Sequence, residues 1–215
     1  MSLPDLALQA IYARLAWGVV MAAVVAGVVV RFQGRANVAA WAAGLVMALM
    51  WLPGSASPAY WLGLMFQYPS MMLVACCVIS LRPAWRSKRA TPLSPGLAAL
   101  LTLGGAVLYA DSSAWLSVGL YARVFDARLA PALALGLGAW AVWLIRAQTS
   151  RATGFSLMAC IVVFSAARLP SGNLFDTLLD PLLWLWSCGV AMKALIQRVG
   201  RSRTPSAPVE SVLRP

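Results

Sequence analysis

The chain has 215 residues, 61% of them apolar and 11% charged; a soluble domain needs a more charged surface than that, so the expected solvent is lipid. The net charge of +11 is not gathered on a separable basic and aromatic module, which excludes nucleic acid as the expected partner; the bases flank apolar segments, as topological markers and anionic-lipid contacts do. The absence of histidine excludes bis-His haem, most zinc and copper centres, and every Ser-His or Cys-His nucleophile, so no metal and no cofactor is expected.

At roughly 20 residues per crossing, the length accommodates about seven spans and no separate soluble domain. The expected fold is all-α, a polytopic transmembrane helix bundle over residues 1–198 with about seven spans (six to eight). A basic, disordered cytosolic tail is expected over residues 199–215.

The first apolar segment runs from about Tyr12 to Val30. It lacks a small-x-small cleavage site and is followed directly by Arg31 and Arg35, so it reads as a retained span and not as a signal peptide. The second runs from about Asn37 to Leu52, and an uncharged turn from Pro53 to Pro58 leads into the third, Ala59 to Leu81. At the middle of that third span stands Gln67-Tyr68-Pro69-Ser70. Pro69 cannot donate to the carbonyl of Met65, which predicts a kink at bilayer depth. Gln67, Tyr68 and Ser70 then either line a binding cavity or bond to neighbouring helices as packing groups.

The most basic loop follows, Arg82 to Arg89. The fourth span begins at Gly96 and meets Asp111 after fifteen apolar residues. It either ends there, with Asp111 in water or capping the next segment, or continues to about Tyr121 with a carboxylate inside the bilayer. The second alternative makes Asp111 a functional candidate, because an ionised group in hydrocarbon costs several kcal/mol unless paired or protonated.

The fifth span, Leu129 to Ile145, opens with a tolerated Pro131; the sixth runs from Thr153 to Ala167; the seventh runs from Asp180-Pro181 to about Gln197. Asp180 before Pro181 reads as a helix N-cap. Lys193 sits near the cytosolic end of the last span and reads as a snorkelling side chain.

Orientation follows from charge, because Lys and Arg accumulate on the cytosolic side. With the N-terminus outside, thirteen of the seventeen basic residues fall on the cytosolic side. Only Arg14, Arg123, Arg128 and Arg168 remain outside, together with Asp5, Asp111, Asp126, Asp176 and Asp180. The outer rim therefore collects Asp126, Asp176 and Asp180 with Arg123, Arg128 and Arg168, as an entry site for a cation or polar solute or as a salt-bridge network. Trp51, Trp61, Trp115 and Trp184 near the outer ends and Trp41, Trp85 and Trp143 near the inner ends fit two interfacial belts.

Small residues spaced four apart, Ala22 to Ala26, Ala23 to Gly27 and Ala134 to Gly138, are expected to let helices pack closely. The four cysteines lie in apolar segments without a C-x-x-C, so they read as small buried hydrophobes, with Cys160 and Cys188 as one possible pair at mid-membrane. Fifteen of the bases are Arg and two are Lys, which with the Ala-rich spans fits a GC-rich bacterium and its inner membrane.

Two functions suit these residues. One is a non-enzymatic accessory or assembly component that meets the lipid bilayer and other membrane proteins through its small-residue faces. The other is a small-solute binding or transport protein using Gln67, Tyr68, Ser70, Asp111, Asp126, Asp176, Arg123 and Arg168. No catalytic motif stands out.

Overall fold

The computed structural model describes residues 5–81, 93–116, 118–123 and 128–202. Among these, every regular element is helical. Helix α1 (Leu6–Gln33) starts at Asp5, whose carboxylate accepts from the amides of Ala7 and Leu8, and ends at Gly34 in the left-handed region. The two-residue turn folds α2 (Ala36–Leu49) back along it, with Met47 and Met50 against Gly18. A 3-10 turn (Gly54–Ala56) and the N-cap Ser57, whose hydroxyl accepts from Ala59, open α3 (Pro58–Phe66).

The expected third span is not one kinked helix. It is α3 and a separate helix, α4 (Met71–Leu81), with an unwound stretch between them. A missing proline donor alone would bend a helix. Here Gln67 also adopts φ 61° and ψ −126°, a region that side chains other than glycine rarely adopt, and this ends α3 outright.

Helix α5 (Pro95–Ser112) stops one residue after Asp111, so the helix expected from Gly96 ends there and does not run on to Tyr121. The short α6 (Leu120–Arg123) follows. Helices α7 (Leu129–Arg146) and α8 (Arg151–Ala167) form a second antiparallel hairpin. A four-residue turn joins them. The short α9 (Leu174–Leu178) was not expected, and α10 (Pro181–Ser202) continues past the residue-198 boundary. Residues 203–215 and Asp126 lie outside the described residues, as does the basic loop from Arg82 to Arg89.

Helices α4 and α8 also run antiparallel: Met72 pairs with Cys160 and Cys76 with Ser156, at 3.8 and 4.0 Å. Cys160 therefore meets a methionine sulfur and not Cys188, and all four cysteines are free. The close helix contacts depend on small residues. A Cβ on Gly154 would stand 2.8 Å from the carbonyl oxygen of Ala141, and one on Gly105 would stand 2.3 Å from Trp184. Of the three small-residue spacings, Ala22 and Ala26 are buried, whereas Gly27 faces open space.

Many large apolar side chains face outward, Trp41 and Trp115 at 82% and 86% exposure among them, while Ser57, Ser70, Thr153, Ser156, Thr177 and Ser187 are buried. Among the described residues, two helices, α1 and α7, are long and apolar enough to cross a membrane by length and composition; α2, α4 and α8 are apolar but shorter.

Candidate binding site

The unwound stretch between α3 and α4 cannot satisfy its own backbone, and side chains from distant helices do so instead. The Tyr12 hydroxyl donates to the Pro69 carbonyl at 2.7 Å, and the Trp17 indole N–H donates to the Gln67 carbonyl at 3.1 Å. Both come from α1, five residues apart, and their side chains reach the two ends of the Gln67–Pro69 stretch. The Ser70 amide donates to Asp180 Oδ2 at 2.6 Å, and the Ser70 hydroxyl accepts from Leu73 at 3.1 Å. Ser70 is fully buried in these bonds and is a cap on α4, not a cavity wall.

Asp180 has a second task. Its Oδ1 accepts from the Leu183 amide at 2.8 Å, so one buried carboxylate, 8% exposed, caps the N-termini of both α4 and α10. Two helix N-termini converging on one anion is a favourable electrostatic arrangement, since each presents unpaired N–H groups and the positive end of a dipole.

A cavity of about 350 Å³ lies beside this junction. One wall is the C-terminal end of α3 with Gln67 and Tyr68; the facing walls are Tyr109 of α5, Ser171 before α9, Asp176 on α9, and Asp180 with Pro181. Among the described residues, no lysine or arginine lines it. The Ser171 hydroxyl donates to Asp176 Oδ2, holding that carboxylate against the turn. The turn is held in place from both sides: Gln9 Nε2 donates to the Pro170 carbonyl at 2.8 Å, and the Thr177 hydroxyl donates to the Leu169 carbonyl at 2.9 Å. The ring of Tyr109 packs edge-on against Trp184, 5.2 Å between centroids, and the Trp184 indole donates to the Thr102 carbonyl at 3.0 Å.

Of the residues expected at a site, the cavity brings together Gln67, Tyr68 and Asp176. Asp111 is elsewhere in role: its carboxylate accepts from the amides of Val118, Gly119 and Leu120 at 3.0, 2.9 and 2.6 Å, which closes the loop into α6. Arg123 is exposed at the end of α6 and does not line the cavity. Arg168 ends α8 in the left-handed region, with its guanidinium 5.0 Å over the Phe164 ring. The expected rim is thus split, with Asp176 and Asp180 lining the cavity and Arg123 and Arg168 not among its lining residues.

Tyr109 and Ser171 carried no signal in the sequence that would bring them to Gln67. Asp180 was legible as a cap on α10, but its bond to Ser70 spans 110 residues and has no local pattern.

Comparison with known proteins finds no matching family model, no matching curated protein and no matching solved structure.

Proposed function

We propose that this is an integral membrane protein, crossing the bilayer about seven times, that holds a small polar solute in the cavity beside the broken helix. The observation that carries the reading is the pairing of an unwound backbone with a polar cavity. Irregular backbone at membrane depth is tolerated where protein covers it or where it lines a cavity, and discontinuous helices are a recurring way to build a solute site.

Support for the membrane comes from α1 and α7, from the outward-facing tryptophans and leucines, and from interhelical contacts made by Gly, Ala and Ser. The seven crossings are α1, α2, the α3–α4 pair, α5, α7, α8 and α10. Basic residues then fall mainly on one side, which puts the N-terminus outside and the C-terminus in the cytosol of a bacterial inner membrane. A membrane-impermeant thiol reagent tests this arrangement. It is expected to label Ser55→Cys from outside and to leave Gly34→Cys unlabelled; the reverse pattern inverts the orientation.

A second reading, an accessory subunit that packs against another membrane protein, is favoured by one observation. A groove of about 330 Å³ between α4 and α8 is lined by Met71, Ala75, Val78, Phe155 and Ala159, an apolar surface on which a further helix can pack.

One experiment separates the two. The protein is purified in mild detergent, and both small molecules and proteins that accompany it are identified by mass spectrometry. The measurement is repeated with Gln67→Gly, which removes a cavity amide and relieves the positive φ. Solute binding requires a small molecule released by the parent and lost from the variant. A stoichiometric protein retained by both, with no small molecule, leaves the accessory reading standing.

A further inference from the structure

The groove between α4 and α8 has a shape that suits one kind of occupant. Its α4 wall runs from Met71 through Ala75 and Val78 to Ile79, and its α8 wall is Phe155, Ser156 and Ala159. Met71 and Ile79 are eight residues apart, about 12 Å along a helix. A volume of about 330 Å³ over that length leaves a cross-section of about 28 Å², a channel roughly 5 Å wide. An α-helix, about 10–12 Å in diameter with its side chains, can lie across such a channel but cannot enter it. A single hydrocarbon chain, whose carbons meet their neighbours at about 3.5–4.0 Å, fits along it. Ser156, the polar residue of the wall, is 1% exposed and meets Cys76 at 4.0 Å, so the channel presents an apolar surface.

The two ends of the groove differ in charge. Met72 stands beside Cys160 and Cys76 beside Ser156, and continuing that antiparallel register brings Leu81, the last residue of α4, level with Arg151, the first of α8. Arg151, Phe155 and Ala159 recur every four residues and share one face of α8, which sets an exposed guanidinium beyond the Ile79–Phe155 end of the channel. Arg146 closes α7 on the other side of the same four-residue turn. The acids of the described residues, Asp5, Asp111, Asp176 and Asp180, all stand at the opposite end of the bundle. Asp176 and Asp180 line the cavity beside Gln67, before α4 begins; Asp111 lies two residues past Tyr109 of that cavity; and Asp5 opens α1, whose Gln9 bonds to Pro170 there. Among the described residues, the arginine end of the groove therefore has no carboxylate.

We infer that this groove holds one acyl chain of an anionic phospholipid whose phosphate lies against Arg151. The inference rests on the membrane reading and is independent of solute binding in the cavity. Val78 and Phe155, 39% and 47% exposed, leave the channel open to the bilayer along its side. Basic residues at a membrane rim attract anionic lipids in general. A base aligned with a channel one chain wide fixes the headgroup and the chain of the same molecule, and that makes a site out of the general attraction. A partner helix resting on the same surface would cover Val78 and Phe155 yet leave the channel beneath it unfilled, against the close packing of protein interiors.

The test is native mass spectrometry of the full chain in mild detergent, titrated with phosphatidylglycerol and with phosphatidylcholine of the same acyl chains. A one-to-one phosphatidylglycerol adduct is expected at concentrations at least tenfold lower than the phosphatidylcholine adduct. Arg151→Gln is expected to reduce that preference at least fivefold and to leave phosphatidylcholine unchanged. Arg35→Gln, at an exposed base in the α1–α2 turn, is the control and is expected to change neither. Ala159→Leu fills the channel and is expected to weaken both lipids severalfold; Val78→Phe fills it from a half-exposed position and covers the case in which Ala159→Leu fails to fold. Equal affinity for the two lipids, or a preference that Arg35→Gln reduces as much as Arg151→Gln, would show diffuse lipid contact and overturns the inference. Adducts that neither channel-filling variant alters place the lipid elsewhere and overturn it too, as does a co-purifying protein that displaces the lipid, which would assign the surface to a partner helix. Recovery of the chain in the soluble fraction without detergent overturns the membrane reading, and the inference with it.

Discussion

The α7–α8 hairpin and the α3–α4 break solve the same problem in opposite ways. In the hairpin, each helix satisfies its own backbone, and the two approach closely because Gly154 leaves room for the Ala141 carbonyl. Everything needed is local: two apolar stretches, a short turn and one residue without a Cβ. At the break, the helix gives up its backbone bonds, and Tyr12, Trp17 and Asp180 replace them from 50 to 110 residues away. The first arrangement yields a dry contact, and the second yields polar groups beside a cavity. A bundle that binds something polar needs the second kind of region, held rigid by the first.

The largest effect is expected where one side chain serves two helices. Asp180→Ala removes the acceptor for both the Ser70 and Leu183 amides, and hydrogen bonds to a charged group contribute about 1.5–3 kcal/mol each. Thermal unfolding in nanodiscs is expected to show a loss of at least about 3 kcal/mol, with α4 and α10 losing hydrogen-exchange protection together. A loss confined to α10 would mean that the bond to Ser70 contributes nothing.

The hairpin is best challenged at Gly154. Gly154→Ala places a Cβ 2.8 Å from backbone oxygen, which cannot rotate away, and overpacking of this kind costs about 1–3 kcal/mol. Gly27→Ala, on the exposed side of α1 with nothing within 4 Å, is the control and is expected to be neutral or mildly stabilising. Equal losses at the two positions would remove close packing as the explanation.

The smallest effect tests the staples of the break. Tyr12→Phe deletes only the bond to Pro69, an expected loss of about 0.5–1.5 kcal/mol, read from the same melting measurement. Combined with Trp17→Phe in a double-mutant cycle, it is expected to show coupling above about 0.5 kcal/mol, because both residues hold one short segment. Strict additivity would mean that the two carbonyls are held independently.

The contrast also explains what was legible in the sequence. The fifth apolar segment, expected from Leu129 to Ile145, is the helix α7 to within a residue, and the sixth and seventh segments begin within two residues of their helices. Apolar runs bounded by Arg, Ser-Pro or Asp-Pro are local signals, and these helices are locally determined. Pro69 marked the break correctly as a weak point, yet proline alone reads as a kink; the positive φ of Gln67 has no glycine to announce it. Asp111 drew attention as a rare acid in an apolar run, and its use proved to be in the loop that follows, through amides up to nine residues on. Counting charges over the expected spans gathers Asp and Arg at one rim. Which of them face a common space depended on turns around Leu169 and Leu179, whose shape no residue pattern specifies.

The order in which these staples arise along the chain has a consequence for biosynthesis. Tyr12 and Trp17 are synthesised before the segment they hold, so when α3 and α4 emerge, donors for the Gln67 and Pro69 carbonyls are already part of the chain. The acceptor for the Ser70 amide comes about a hundred residues later, at the start of the last helix. The cavity is therefore completed last by its far end: until Asp180 and Pro181 are made, α4 lacks its carboxylate cap and the cavity lacks one wall.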